Sequence, residues 1–335
     1  MKVLLVKLSS LGDVVHTFPA MTDAMAAHPG LQLDWAVEEA FAPVARLHPA
    51  VRKTIVVPLR RMLRKPLDAL RSGEAGRIRA ALAAERYDMV IDAQGLMKSA
   101  AVAALARGQR HGFDRASARE GLAALTYHRR HHVPEVEHMA VRIRKLFAAA
   151  LGYSLDGRPA DAGLVPAPDA GTPYLVFLHG TTWPTKTWTR AGWRALAEQA
   201  GAAGLDIRLF AHGATERARA EAIANGLPNV HLLPPQTLET LAPVIAGAAG
   251  VVSADTGLGH LAAAYGVPTV GLYGPTDPLL TGLYGPRAVE LKATRDCAPC
   301  EKARCRIAPE VTEGPPCLAD MSAAEVWRAL VALRA

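Results

Sequence analysis

The sequence predicts an α/β protein built from two doubly wound, Rossmann-like domains. Short apolar segments of strand length alternate with segments of helical periodicity over most of the 335 residues. Residues 152–172, rich in Gly, Pro, Asp and Ala and without sustained periodicity, interrupt that alternation. Such alternation is typical of parallel sheets with helices on both faces, and ligands bind such sheets at the carboxyl ends of the strands. We therefore expect two domains that face a central cleft.

The predicted elements follow one another in a regular order. In the first half, apolar runs predict strands over Val3–Leu8, Leu31–Val37, Thr54–Pro58 and Met89–Asp92, and helical spacing predicts helices over Arg77–Arg86 and Met139–Ala150. In the second half the predicted strands are Tyr174–Leu178, Asp206–Phe210, Val230–Leu233, Gly250–Ser253 and Thr269–Tyr273. The helices that accompany them are Arg190–Gly201, Glu216–Ala224, Leu238–Gly247, Gly259–Tyr265 and Ala323–Leu333. We accordingly predict an N-terminal domain over 1–155, a linker over 156–172, a C-terminal domain over 173–320 and a closing helix within 321–335.

Composition and hydropathy exclude several classes of protein. Half of the residues are apolar, which is a globular composition rather than a disordered one. No apolar run approaches the roughly 20 residues that a membrane-spanning helix needs. The apolar run at the N-terminus is too short for a signal peptide and lacks a small-residue cleavage site, so it is predicted to be the first strand. These features favour a cytoplasmic protein.

The net charge of +7 is concentrated in the first half of the chain. Residues 1–165 hold 24 Lys and Arg against 16 Asp and Glu, whereas residues 166–335 hold 14 against 15. This asymmetry indicates an anionic partner for the first half, either a lipid or glycolipid surface or a nucleic acid, unless it is only an incidental basic surface. Aromatic residues make up 5% of the chain, and no basic–aromatic interleaving indicates base stacking, so nucleic acid is the weaker candidate.

All four cysteines lie close to the end of the chain, in a Cys-x2-Cys-x4-Cys-x11-Cys pattern formed by Cys297, Cys300, Cys305 and Cys317. The spacing suits a structural zinc ion. It equally suits a set of reduced thiols that brace a proline-rich loop. The sequence leaves both interpretations open, and neither carries a catalytic role.

The turn after the first strand, Lys7–Asp13, is polar and contains a glycine. It lacks the Gly-x-Gly-x-x-Gly of a dinucleotide-binding fold and the Gly-Lys-Ser/Thr of a P-loop. Asp13 lies where an open α/β sheet exposes reactive groups. It can cap the next helix, or it can accept a proton from a substrate hydroxyl, and the residues alone do not decide between the two.

Two turns of the second half have the composition of a phosphate site. The first contains Thr181, Thr182 and Lys186 directly after a predicted strand, and Lys186 can act as a mobile point charge unless it is only a surface lysine. Glu216 follows the next strand and can hold a ribose diol or cap a helix.

The second turn is the strand–turn–helix segment Ser253–His260. It brings free backbone N–H groups and the positive end of a helix dipole to Asp255 and Thr256. An ordinary capped βαβ corner is the alternative. Together, the two turns predict that the second domain binds a nucleotide diphosphate.

The sequence resembles the bacterial lipopolysaccharide heptosyltransferases over nearly its full length. The segments that carry the resemblance are Lys7–Asp13, Phe18–Asp23, Asp34–Glu39, Ile91–Ala100, His179–Trp188 and Ser253–Pro278. The type I enzymes match best, while the cysteine-rich tail resembles the type II enzymes. The resemblance implies a GT-B fold and inverting transfer of heptose from ADP-heptose to the inner Kdo sugar of Kdo2–lipid A.

The resemblance also implies roles for single residues. Asp13 matches the family's general base, and its donor site is matched by Thr181, Thr182, Lys186, Glu216, Asp255, Thr256, Gly257, Leu258 and His260. We interpret Lys186 and the helix start at Thr256–Gly257 as support for the leaving ADP, so Lys186 is also a catalytic candidate. No cofactor is required on this interpretation, and the need for a divalent ion stays open.

The basic first half gains a specific interpretation from the resemblance. Arg60, Arg61, Arg64 and Lys65, in a predicted loop, and Arg119 are expected to meet the carboxylates and phosphates of the acceptor. The adjacent Met62 and Leu63 would let this segment rest on the inner face of the cytoplasmic membrane, unless it is only a solvated basic loop. Two alternatives to the type I enzyme are kept: a type II enzyme with a heptosylated acceptor, and a non-catalytic nucleotide-sugar- or nucleic-acid-binding protein.

Overall fold

The chain forms two compact units, Met1–Leu164 and Val165–Ala335. The structure is a computed structural model that describes residues 1–166, 171–309 and 313–335. The division between the units falls inside the segment predicted as a linker, of which residues 167–170 lie outside the described residues.

Unit 1 contains a six-stranded, fully parallel sheet in the order β3-β2-β1-β4-β5-β6. Its strands are β1 Lys2–Val6, β2 Gln32–Val37, β3 Val51–Val56, β4 Arg86–Asp92, β5 Arg107–Phe113 and β6 Arg129–His131. Its helices are α1 Leu11–Val15, α2 Phe18–Ala27, α3 Ala42–Ala45, α4 Leu59–Arg64, α5 Pro66–Arg71, α6 Glu74–Ala83, α7 Met97–Leu105 and α8 Met139–Leu151, with 3-10 helices at Glu39–Phe41 and Gly121–Thr126.

Unit 2 contains a sheet in the order β12-β11-β10-β7-β8-β9, again with parallel pairing throughout. Read from β9 to β12, this is the strand order of unit 1. Its strands are β7 Tyr174–Leu178, β8 Asp206–Leu209, β9 Val230–Leu232, β10 Gly250–Ala254, β11 Thr269–Tyr273 and β12 Ala288–Lys292. Its helices are α9 Arg190–Ala202, α10 Gly213–Ala224, α11 Leu238–Ala246, α12 Gly257–Ala264, α13 Pro278–Thr281, α14 Pro316–Ala319 and α15 Ala323–Arg334, and Pro184–Lys186 forms a 3-10 helix.

Both sheets therefore have the strand order of a Rossmann fold, in which the order reverses next to the first strand. In unit 1 the register pairs Val6 of β1 with Asp92 of β4. In unit 2 it pairs Leu178 of β7 with Ser253 of β10. The turns that leave these paired strands consequently lie side by side at the carboxyl edge of each sheet.

Buried side chains fix the position of each edge. Leu4, Val6 and Leu8 pack in the core of unit 1. In unit 2 the rings of Trp188 and Trp193 meet edge to face at 5.2 Å, and the Trp188 indole N–H donates to the carbonyl of Met321. Because Trp188 ends the turn after β7, this contact anchors that turn to the core. Within the described residues, no helix is long and apolar enough to cross a membrane.

The observed elements correct one prediction about the acceptor segment. Arg60, Arg61 and Arg64 lie in helix α4, whereas the sequence predicted a loop there. Helix α4 buries none of its residues, so its sequence needs no apolar stripe. Without such a stripe, the helical periodicity cannot be recognised from the sequence.

Candidate active site

Asp13 lies in the first turn of α1, directly after the turn that follows β1. One oxygen of its carboxylate accepts hydrogen bonds from the backbone N–H and the hydroxyl of Ser10, both at 2.8 Å. The other oxygen lies 3.3 Å from the Nζ of Lys7. Asp13 therefore caps the helix, as one interpretation of the sequence allowed, and the same carboxylate also forms an ion pair.

Lys7 is the buried member of this pair. The Lys7 side chain is 2% exposed, whereas that of Asp13 is 25% exposed. The Nζ of Lys7 also donates to the carbonyl of Ala93 at 3.1 Å. Burial alone raises the pKa of Asp13, but the Lys7 ammonium and the hydrogen bonds from Ser10 outweigh it and lower that pKa from 3.8 to about 2. Asp13 is therefore an ionised carboxylate with an open side, a group that can accept a proton.

The loop after β4 holds the Asp13 turn in place. The side-chain oxygen of Gln94 accepts the backbone N–H of Leu8 at 2.7 Å. Asp92 is fully buried and accepts hydrogen bonds from the backbone of Gln94 and from the hydroxyls of Ser99 and Tyr127. Burial raises the pKa of Asp92, and these donors oppose that shift. The carboxyl edge of unit 1 is thus built around a braced turn.

The predicted acceptor residues lie along the same edge and are exposed. The backbone N–H of Arg60 donates to the carboxylate of Glu38, whose own N–H donates to the carbonyl of Leu8. Arg61 is not a free cation, because its guanidinium lies 2.7 Å from the carboxylate of Glu74. The remaining predicted cations are Arg64 and Lys65 at the end of α4 and Arg119 in the loop after β5.

In unit 2, three of the predicted donor residues meet at one corner. The Nζ of Lys186 lies 2.6 Å from a carboxylate oxygen of Asp255, and the hydroxyl of Thr181 donates to the Asp255 carbonyl at 3.2 Å. The hydroxyl of Thr276 donates to the same carboxylate oxygen at 2.5 Å. The two turns singled out from the sequence are therefore bonded to each other.

The more exposed member of this second pair is the lysine, which is itself half-buried. The Lys186 side chain is 17% exposed and that of Asp255 is 9% exposed. The Lys186 ammonium also lies 4.7 Å from the centroid of the Trp183 ring, within the range of a cation–π contact. Asp255 and Trp183 thus hold Lys186 in place at the sheet edge, where a diphosphate can meet its charge.

Glu216 lies against the turn after β7. Its carboxylate accepts the backbone N–H of His212 at 2.8 Å, so it caps α10. A Cβ atom at Gly180 would lie within 2.7 Å of the Glu216 carboxylate, so only glycine permits this approach. Thr182 is exposed in the same turn.

The start of α12 forms the rest of the corner. Thr256 is its N-cap residue, and Gly257 and Leu258 begin the helix with their backbone N–H groups in its first turn. His260 is buried on the same helix. A Cβ at Gly259 would lie 2.4 Å from the Ser253 hydroxyl, so this glycine lets the helix pack closely on β10.

Comparison with known proteins decides the family. A family model described as glycosyltransferase family 9 (heptosyltransferase) matches residues 75–310. The chain belongs to this family. It is 49% identical over 314 residues to lipopolysaccharide heptosyltransferase 1 of Pseudomonas aeruginosa, covering 92% of this chain and 88% of that protein.

Solved structures agree with this assignment. E. coli heptosyltransferase WaaC with ADP superposes with a TM-score of 0.88 at 41% identity and covers all of both chains. WaaC with ADP-2-deoxy-2-fluoro heptose gives 0.86 at 40% identity over 99% of each chain. The predicted GT-B class with two Rossmann-like domains is confirmed, and this family 9 chain is a glycosyltransferase of the heptosyltransferase type.

The four cysteines of this family 9 chain line one cavity of about 310 Å³ in unit 2. Cys317 is buried and Cys297 exposed. In the parts of the chain that the structure describes, no group of three or more His, Cys, Asp or Glu side chains is arranged to hold a metal ion. The cavity also includes Thr185, whose hydroxyl donates to the Lys302 carbonyl at 2.7 Å, so the cysteine segment packs behind the Lys186 turn.

Sequence reasoning gave no role to Lys7, Trp183 or Thr276. Lys7 did carry a signal, because a lysine between apolar residues at the end of a buried strand needs a counter-charge. Thr276 carried none, since its partner Asp255 is 21 residues away and meets it only through the pairing of β10 with β11.

Proposed function

We propose that this chain transfers heptose from ADP-heptose, with inversion, to the inner Kdo sugar of Kdo2–lipid A in lipopolysaccharide core synthesis. The observation that carries the proposal is a lysine–carboxylate contact in each unit, in which the carboxylate is the more exposed group in unit 1 and the lysine is the more exposed group in unit 2. The similar structures support this donor, since WaaC has been solved with ADP and with ADP-2-deoxy-2-fluoro heptose.

The unit 2 corner is proposed as the donor site. Thr181, Thr182, Lys186, Glu216, Asp255, Thr256, Gly257, Leu258 and His260 form it or border it. The leaving ADP is a charged, weakly basic group, so it needs electrostatic support more than a proton. Lys186 and the N-terminus of α12 supply that support, an effect worth about 3–4 kcal/mol for a well-placed donor. This assignment calls for no resident cofactor.

Asp13 is proposed as the general base. Inversion requires the acceptor hydroxyl to attack the anomeric carbon from the face opposite the diphosphate, and the base must lie on that side. Asp13 belongs to unit 1, to which the acceptor is assigned, and its carboxylate is ionised throughout the physiological pH range. It accepts the hydroxyl proton as the new glycosidic bond forms and the bond to ADP breaks. Lys7 acts through Asp13 and is a positioning residue.

The acceptor is proposed to bind along the basic carboxyl edge of unit 1. Arg60, Arg61, Arg64, Lys65 and Arg119 are exposed there, and the guanidinium fork suits both carboxylates and phosphates. Since that acceptor is a lipid, we also propose that the protein rests on the inner face of the cytoplasmic membrane.

A matrix of donors and acceptors tests the function. The purified chain is incubated with ADP-heptose or ADP-glucose and with Kdo2–lipid A or its monoheptosylated form, in the presence of Mg²⁺ or EDTA. Mass spectrometry should detect one added heptose on Kdo2–lipid A, with the inverted anomeric configuration by NMR. Product only with the heptosylated acceptor would assign the chain to the type II reaction, and no product with either acceptor would overturn the proposal.

A further inference from the structure

Two leucines are held outward on the 3-10 helix Gly121–Thr126. Leu122 is 58% exposed and Leu125 is 68% exposed. The residues between them, Ala123 and Ala124, are buried and pack with Ala100 and Tyr127 in a small core cluster. Single exposed leucines are ordinary on soluble proteins, but this short helix buries its alanines and presents both leucines.

The backbone of this helix is tied down, so the leucines are not exposed through a loose loop. The Nε of Arg130 donates to the Ala124 carbonyl and the Nε of Arg110 to the Thr126 carbonyl, both at 2.8 Å. The hydroxyl of Tyr127 donates to the buried carboxylate of Asp92 at 2.7 Å. Because these hydrogen bonds already order the backbone, placing the two leucines in another apolar phase costs less conformational entropy.

The surroundings of the leucines are cationic. Arg115, Arg119, Arg129 and Arg130 are exposed on the segments that flank the helix. The nearby carboxylate of Glu120 is engaged by the backbone N–H of Met97 at 2.6 Å, and that of Asp114 by Ser117 and His132. Apolar side chains flanked by exposed arginines complement an anionic lipid surface, which takes up the leucines below the headgroups and the guanidinium groups among them.

The position of the 3-10 helix Gly121–Thr126 also suits contact with an anionic lipid surface. The backbone N–H of Glu120 donates to the carbonyl of Gly95 at 3.0 Å, in the loop after β4. The same loop binds Leu8 through Gln94, at the start of the Asp13 turn. The leucines therefore lie on segments bonded to the loop that braces the base, at the edge where a lipid-borne acceptor would arrive.

We infer that Leu122 and Leu125, with the arginines on the flanking segments, form a membrane-contact surface that inserts into an anionic bilayer. The choice of edge rests on the proposed function, because only a lipid acceptor requires the base to work near a membrane. The contact itself is independent of that function and is measured without turnover. It is distinct from the basic segment on α4, which the sequence alone had indicated.

The test compares two double variants by sedimentation with vesicles of phosphatidylglycerol and phosphatidylcholine. Leu122→Ser/Leu125→Ser should partition onto anionic vesicles at least about tenfold less than the unaltered chain. The matched control is Leu279→Ser/Leu280→Ser on α13 of unit 2, where Leu279 is 66% exposed, and it should bind as the unaltered chain does. Thermal unfolding checks that both variants are folded.

Two outcomes would overturn the inference. One is unchanged vesicle binding by Leu122→Ser/Leu125→Ser. The other is a self-associating chain, seen by gel filtration, that the same variant converts to monomers, which would make the surface an interface between copies. Transfer to a soluble, deacylated acceptor should persist in the variant. If no chain shows transfer while the variant still loses vesicle binding, the proposed function fails and the membrane contact stands.

Discussion

The turn after the first strand of unit 1 and the corner of unit 2 use the same pair of charges in opposite orientations. In unit 1 the lysine is 2% exposed and the carboxylate of Asp13 25%. In unit 2 the carboxylate of Asp255 is 9% exposed and the lysine 17%. One sheet edge thus presents an anion supported by a buried cation, and the other presents a cation supported by a buried anion.

On the proposed function, this contrast shows how one fold can serve two tasks. Both pairs lie where a parallel sheet reverses its strand order, so the topology supplies the place but not the chemistry. In each pair the more buried member holds the other in position, and in unit 1 the Lys7 ammonium also lowers the pKa of Asp13. A base and a support for a leaving diphosphate need opposite signs, and the two edges differ in that respect.

The largest expected effect comes from removing the exposed carboxylate. Asp13→Asn keeps an oxygen for the Ser10 donors but cannot accept a proton, so kcat should fall by about 10³- to 10⁴-fold. Steady-state transfer assays measure the change, and the Kd for ADP serves as the control because Asp13 is assigned to unit 1. Transfer at the unaltered rate would remove Asp13 from the mechanism.

The next largest effect concerns the exposed lysine. Lys186→Met should lower kcat by about 10²- to 10³-fold and weaken ADP binding, since the leaving diphosphate loses its counter-charge. The substitution also leaves Asp255 without its ion-pair partner. The double variant Lys186→Met/Asp255→Asn removes the unpaired carboxylate charge as well, and its kcat should remain as low as that of the single variant. Recovery of the rate in the double variant would show that Lys186 matters only by neutralising Asp255.

A smaller, pH-dependent effect is expected from the buried lysine. With Asp13 at a pKa of about 2, its ionisation does not limit the rate between pH 5 and 8. Lys7→Met removes the cation that lowers this pKa while burial still raises it, so the acid limb of kcat/KM should move up by about one pH unit or more. The matched control is Lys2→Met at the start of β1, the strand that precedes Lys7, because Lys2 pairs with Glu85 instead. A parallel loss of rate at every pH would instead indicate a purely structural role for Lys7.

The smallest effect is expected at the ring beside Lys186. Trp183→Leu keeps an apolar side chain but removes the cation–π contact, which is worth about 0.5–1 kcal/mol. The Kd for ADP should therefore rise by about two- to fivefold, as measured by calorimetry. An unchanged Kd would show that Asp255 alone positions Lys186.

The sequence predicted the buried apolar strands of the fold well and the more polar strands poorly. Tyr174–Leu178 and Thr269–Tyr273 were predicted with the bounds that the structure has, because each is a buried apolar run between polar turns. The strands β5, β6 and β12 were not predicted. The segment Arg107–Phe113 is largely polar, and it is a strand because it pairs with β4 and β6.

For the site, the sequence predicted the turns but not the partnerships within them. The contact between Thr181 and Asp255 joins residues 74 positions apart, and no local pattern reveals it. Lys7 and Asp13 are six residues apart, yet their pairing depends on how the chain turns between them. Which member of each pair is exposed depends on packing, so the contrast between the two edges required the structure.

The most direct test of that contrast is the affinity for ADP of Asp13→Asn and Lys186→Met, measured side by side by calorimetry with the unaltered chain. If the exposed lysine serves the donor and the exposed carboxylate serves only the chemical step, Asp13→Asn should bind ADP as the unaltered chain does, while Lys186→Met binds it at least about tenfold more weakly. Loss of ADP affinity in Asp13→Asn, or full affinity in Lys186→Met, would contradict this division of roles.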